Sequence, residues 1–199
     1  AYVTSFLLDA QQQGFAVPTS LLEPALANLQ QSWQQETPQL EERYPLAENA
    51  VQMDLAVRAY SAYVLAKAHK LTLNALRAFT DKTVNQMELG LPLVQLGLAL
   101  TLQGDAARGD ELIQRGLGLP RKADLYLGDY GSVLRDRTMM LYQLLLAEQT
   151  IPALSVHLEY ILRDIHENKY LSTQEQALVF LLGQLLEKQA KAPWQAQLV

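Results

Sequence analysis

The sequence predicts an all-α protein, an α/α toroid of about nine helices built from helical hairpins, with a superhelical solenoid as the rival arrangement. Two observations carry that expectation. Stretches that are apolar on nearly every side alternate with thinner amphipathic ones. AYSAYVLAKA at Ala59, LVQLGLALTL at Leu93, TMMLYQLLLA at Thr138 and ALVFLLGQLL at Ala177 can be laid over one another. The starts of successive apolar helices also recur at roughly 40–50 residues, the period of a helical-hairpin array. A helix without a polar face belongs inside a ring or bundle, and the amphipathic helices belong outside it.

Taken in order, the first helix runs from about Ala1 to Gln13 and stops at Gly14, a natural C-terminal stop. Pro18 and Ser20 open a second helix, with Ser20 and Glu23 spaced as a capping box and Leu22, Ala25, Leu26, Leu29 and Trp33 on one face. After a polar, proline-broken loop (Glu36 to Glu48), a third helix spans Glu48 to Lys70 and a short fourth covers Leu73 to Phe79. The most apolar stretch, Glu88 to Gln103, is the fifth helix, with Pro92 in its first turn, where a missing N–H costs little. The Gly104–Asp105 turn leads to a sixth helix ending near Arg115. A long Gly-rich connection, Leu117 to Ser132, precedes the seventh helix at Leu134 to Glu148. Helix eight, Pro152 to Asp164, carries Ile151, Leu154, Leu158, Ile161, Leu162 and Ile165 on one face. In the last helix, YLSTQEQALVFLLGQLLEK, Ser172 and Glu175 form a capping box and an unbroken apolar run from Ala177 to Leu182 calls for burial all round.

Connection lengths alternate too. Inner-to-outer turns are tight (Gly14 to Thr19, Lys70 to Thr72, Gly104–Asp105, Thr150–Ile151), whereas outer-to-inner ones are mostly long (Glu36 to Glu48, Thr80 to Gln86, Leu117 to Ser132). In a toroid the long loops would then share one end with the N-termini of the inner helices, which present free N–H groups and positive dipole ends. That is the expected functional end.

At 199 residues the chain is read as one domain, 1–199, large enough to bury a sizeable core. Ala1 to Ala10 reads as the middle of a helix, without a start methionine or cap, so a cut from a longer protein is expected. Net charge is −5, and no basic stripe is interleaved with aromatics, which argues against a nucleic-acid partner. Cysteine is absent, which excludes disulfides, cysteine zinc sites and thiol catalysis within the chain. The longest apolar run, Leu89 to Leu102, is too short to span a bilayer.

The candidate chemistry is thin. His157 and His166 are nine apart, on opposite faces of one helix, and His69 lies away from the long loops, so no metal site is expected. Glu48, Asp54, Glu88, Asp129 and Asp136 lie near the long-loop end, with Tyr44, Tyr126, Tyr130 and Tyr170 as aromatic company. Such a set would suit a carbohydrate-active α/α-toroid enzyme, which needs two facing carboxylates. Acids satisfying helix N-termini explain the same residues, and no single pair stands out. Ser172 has no histidine beside it in the sequence and is read as a cap, not a nucleophile. A helical-repeat protein-binding module is the remaining alternative.

YLSTQEQALVFLLGQLLEKQ resembles the Y-G-S-T-Q-A-T-x-x-x-x-x-A-L helix that closes the thioester domain of the α2-macroglobulin/complement family. AYVTSFLLDAQQQGF followed by VPTSLLEPALANLQ resembles that domain's W-L-T-A-Y-V helix and its partner. AYSAYVLAKAHKL, LGLALTLQGD and DYGSVLRDRTMMLYQLL fit successive inner helices in the same order, and the DYGSxLRD form is similar to the bacterial branch. The resemblance implies the later two-thirds of a thioester-type toroid in a protease-trapping protein. It implies no enzyme activity and no cofactor. The reactive thioester of the family's C-x-E-Q motif would lie upstream of Ala1 or be missing, as in thioester-less bacterial paralogues. The implied partners are target proteases, other domains of the parent chain and a peptidoglycan synthase of the penicillin-binding class. The implied location is the periplasm, with a lipid anchor to the inner membrane. Complement members carry a histidine in the loop matching Glu41 to Asn49, and this sequence has none, which points to amines as thioester targets. Asp129, Tyr130, Asp136, Tyr170, Ser172, Thr173 and Gln174 would border the thioester as scaffold or interface residues.

Overall fold

A computed structural model describes residues 1–35, 49–119, 121 and 131–189. Among them the chain forms nine helices and no strand. These are α1 (Tyr2–Gln12), α2 (Thr19–Gln34), α3 (Ala50–Lys67), α4 (Leu73–Thr83), α5 (Gly90–Leu102), α6 (Ala106–Leu117), α7 (Val133–Leu146), α8 (Leu154–Glu167) and α9 (Thr173–Gln189). They gather into two compact units, Ala1–Asp129 with α1 to α6 and Tyr130–Val199 with α7 to α9. Chain neighbours pack together (α1 on α2, α2 on α3, α4 on α5, α5 on α6, α7 on α8), and α3 also packs on α5 and α7 on α9. That is the layered order of helical hairpins expected from the apolar repeat.

The hairpins share one backbone device. The chain leaves α1, α3, α5 and α7 through a residue of positive φ: Gly14 (88°), His69 (54°), Gly104 (91°) and Glu148 (54°). The next N–H then turns back to a carbonyl five residues earlier: Phe15 to Ala10, Lys70 to Leu65, Asp105 to Leu100 and Gln149 to Leu144, at 2.9–3.0 Å. This left-handed cap satisfies carbonyls that a helix end otherwise leaves bare and reverses the chain within a few residues. The even-numbered helices end otherwise, α2 and α8 in extended residues and α6 in a right-handed one.

In the first unit every residue of α5 from Gly90 to Leu100 is buried, including Gln95. Pro92 falls in the first turn as expected, where no intrahelical bond is lost. α6 offers α5 the narrow face Gly109, Leu112, Ile113 and Gly116, at helical spacing. Glycine faces glycine across this contact: a Cβ on Gly97 would lie 2.6 Å from the Gly109 carbonyl oxygen, and one on Gly116 would lie 2.7 Å from that of Gly90. The outer helices are tied by charge. Arg77 of α4 donates to Asp105 at the start of α6 (2.6 Å), and Arg108 of α6 donates to Asp81 of α4. The Arg77 hydrogen bond holds the Asp105 carboxyl below the usual range, against a smaller upward push from burial. Lys67 of α3 reaches Asp9 of α1 at 2.5 Å.

Four expectations change in detail. The fourth helix runs to Thr83, followed by a 3-10 turn at Val84–Gln86, so most of the expected loop from Thr80 to Gln86 is helical. Thr80 and Thr83 turn their hydroxyls back to the carbonyls of Leu76 and Phe79, and Phe79 is held edge-on by Trp33. In α2 the cap is Pro18, whose side chain has no acceptor to offer, so Ser20 falls inside the first turn, and Glu23 pairs with Lys70 of the α3–α4 turn at 3.0 Å. On α8 Leu162 is 65% exposed, since it lies about 100° around the helix from the buried Ile161. Finally, α9 buries only Leu178 and Leu182 and leaves Phe180 62% exposed. Its extensive packing is against α7 alone, which covers one face, so helix α5 and not α9 meets the expectation of burial all round.

Two substitutions test these contacts in opposite directions. Gly97→Ala should destabilise the protein by about 2–3 kcal/mol, because neither backbone can yield. Glu148→Gly should stabilise it by about 1 kcal/mol by relieving a left-handed non-glycine residue. Urea unfolding monitored by circular dichroism measures both.

Candidate functional site

The N-terminal ends of α7 and α9 meet in the second unit, and most of the sequence-predicted site residues within the described part lie there. Ser132 caps α7: its hydroxyl accepts from the Arg135 amide at 3.0 Å, and its carbonyl accepts from the Asp136 amide at 2.9 Å. Ser172 caps α9 through the capping box expected from the sequence. The Glu175 amide donates to the Ser172 hydroxyl (3.3 Å), and the Ser172 amide donates to Oε2 of Glu175 (2.7 Å).

The two caps are joined. Ser132 donates its hydroxyl proton to Oε1 of Glu175 at 2.5 Å, so the two oxygens of one carboxylate serve two different helices. Burial pushes the Glu175 carboxyl up, but the hydrogen bonds from Ser132 and Ser172 outweigh it and the net direction is down. The S-x-x-E pattern in the sequence revealed the local half of this arrangement. The other half had no signal, because position 135, where a capping box in α7 would carry an acid, is Arg135.

Asp136 is buried in the first turn of α7, beside the positive end of the helix dipole, and pairs with Arg135 Nη1 at 2.9 Å. Tyr170, Ser172, Thr173 and Gln174 are exposed, Tyr170 with the Lys169 ammonium 5.5 Å from its ring centre. Asp129 and Tyr130 lie outside the described residues, as do Glu48, Tyr44 and Tyr126. Of the other carboxylates weighed for sugar chemistry, Asp54 faces Arg58 one turn along α3 (3.8 Å), and the Glu88 amide donates to Gln52. No group of three or more His, Asp or Glu side chains suited to a metal occurs among the described residues. Nor does any helix among them have the length and apolarity to cross a membrane.

His69 and His166 are exposed, while His157 on α8 is half-buried. Burial pushes the His157 imidazole below its ordinary value, and the charge of Arg137 adds to the shift. Arg137 in turn pairs with Asp164 and stacks on Tyr160, whose ring also receives Arg163.

No family model matches the chain. It is homologous to a segment of bacterial α2-macroglobulins. It is 38% identical, over 99% of its length, to the α2-macroglobulin of Escherichia coli, of which it spans 12%. The crystal structure of trypsin-activated E. coli α2-macroglobulin superposes on 94% of the chain with a TM-score of 0.82 at 35% identity, over 12% of that protein. The Salmonella α2-macroglobulin reacted with methylamine superposes on 92% of the chain with a TM-score of 0.82 at 34% identity, again over 12% of that protein.

In the second unit, His157 and Glu175 both make stability fall in acid. A group whose folded value is depressed binds its proton more readily when unfolded, so each contributes stability that is lost as pH falls. For His157 the loss sets in below the ordinary 6.5, and for Glu175 below the ordinary 4.5. Urea midpoints measured between neutral pH and about pH 4 should decline, and His157→Gln should flatten the upper part of the decline.

Proposed function

We propose that this chain is the scaffold part of the thioester domain of a bacterial α2-macroglobulin-like, broad-spectrum protease inhibitor, contributing the later two-thirds of its α/α toroid. The observation that carries the reading is the alignment with E. coli α2-macroglobulin along 99% of the chain at 38% identity. Because the chain spans 12% of that relative, the trapping activity is that of a larger parent protein. Cleavage of a bait region by a protease would expose a thioester held elsewhere in the parent. A protease amine would attack its carbonyl, forming an amide and releasing the cysteine thiol. That a Salmonella relative has been reacted with methylamine, a small amine, fits this chemistry.

In this reading the chain performs no catalysis and needs no cofactor. Tyr170, Ser172, Thr173 and Gln174 are exposed at the start of α9 and serve as an interface. Asp136, buried and paired with Arg135, serves as scaffold, and Asp129 and Tyr130, outside the described residues, are assigned the same role from the sequence. The partners are target proteases and the other domains of the parent, with a penicillin-binding-type peptidoglycan synthase as a further one. The site of action is the periplasm, on a parent lipid-anchored to the inner membrane.

The test uses the full-length parent with radiolabelled methylamine, before and after limited proteolysis. Covalent label in the segment preceding Ala1 is the expected outcome for a thioester trap. Retention of protease without label identifies a thioester-less, steric trap that uses the same scaffold. Absence of both label and retained protease overturns the inhibitor reading in favour of a carbohydrate-active toroid enzyme.

A further inference from the structure

Glu175 holds a position that the capping of α9 alone does not require. A capping box is complete with the Ser172 hydroxyl and one oxygen of the acid, Oε2 at 2.7 Å from the Ser172 amide. The other oxygen, Oε1, is 2.5 Å from the hydroxyl of Ser132, 43 residues away in the chain. Ser132 is engaged both ways as well, accepting from the Arg135 amide while donating its one proton to Glu175. From these contacts we infer that Glu175 is a two-helix clamp, which makes the first turns of α7 and α9 open and close as one unit.

The charges around the clamp leave Glu175 this role. On α7, Arg135 pairs with its neighbour Asp136, and Arg137 is turned to Asp164 of α8. On α9 no other charged residue occurs between Ser172 and Phe180. Just before α9, Lys169 lies over Tyr170. The bond from Ser132 to an ionised carboxylate is of the charge-assisted kind, stronger than one between neutral groups. Ser132 is also the residue through which the connection from α6 enters α7. The inference stands independently of what the parent protein traps.

Amide hydrogen exchange followed by mass spectrometry on the full-length protein tests it, read at Arg135 and Asp136 for α7 and at Glu175 and Gln176 for α9. Glu175→Ala should speed exchange at Arg135 and Asp136 by about fivefold or more, although the Ser132 cap of α7 is untouched. Ser132→Ala should do the same at residue 175 and Gln176, although the capping box of α9 is intact. The double variant should be no faster than the faster single variant, and Ser132→Thr, which keeps the hydroxyl, should exchange like the parent. Effects confined to the helix that carries each substitution would overturn the inference. If Glu175→Ala does not fold, the effect of Ser132→Ala on Gln176 decides alone.

Discussion

The constraint on which the first unit depends is the backbone contact between α5 and α6. Gly97 meets Gly109 and Gly90 meets Gly116 at distances that leave no room for a Cβ on either side. Close approach on this side goes with packing of α5 on α3, and its leucines join the core that α3 and α4 share. Leu93, Leu96 and Leu100 are wholly buried as a result, and Leu76 of α4 and Leu65 of α3 pack in the same core. A helix so apolar is stable only where every side is covered, since its backbone bonds add little when its side chains face water. The glycine pairs meet that condition on the α6 side.

Polar interactions act at the helix ends, where burial leaves groups to satisfy. Arg77 and Asp105 join α4 to the start of α6, and Lys67 and Asp9 join α3 to α1. In the second unit the corresponding place is taken by Ser132, Ser172 and Glu175. Each of these contacts ties one helix to another at a terminus that would otherwise present bare N–H groups or an unpaired charge. They therefore settle which helix ends lie together while the apolar faces supply most of the stability.

Much of this was legible in the sequence. The apolar repeats at Ala59, Leu93, Thr138 and Ala177 mark four of the helices, and Gly14 and Gly104 mark two of the reversals. Ser172 and Glu175 announce the start of α9. His69 and Glu148 make the same left-handed turn as the glycines, yet neither residue type signals it, because the conformation there is imposed by the packing of the hairpin. The extension of α4 to Thr83 was hidden for a similar reason. Threonines are weak helix formers, and these are held by Phe79 packing on Trp33 and by their own hydroxyls bonding back one turn. Asp136 was legible as an acid near a helix start, but its burial against Arg135 was not.

The sequence by itself determined the all-α class, the order of the helices and the positions of the tight turns, since these follow from apolar spacing, caps and glycines within a few residues of one another. Tertiary structure alone decided which apolar helix is surrounded and which is half exposed. α5 and α9 read alike in sequence, but only α5 has neighbours on every side. It also decided that one carboxylate serves two helices. Glu175 and Ser132 are 43 residues apart, and no local pattern records a hydrogen bond that exists only once α7 and α9 have packed.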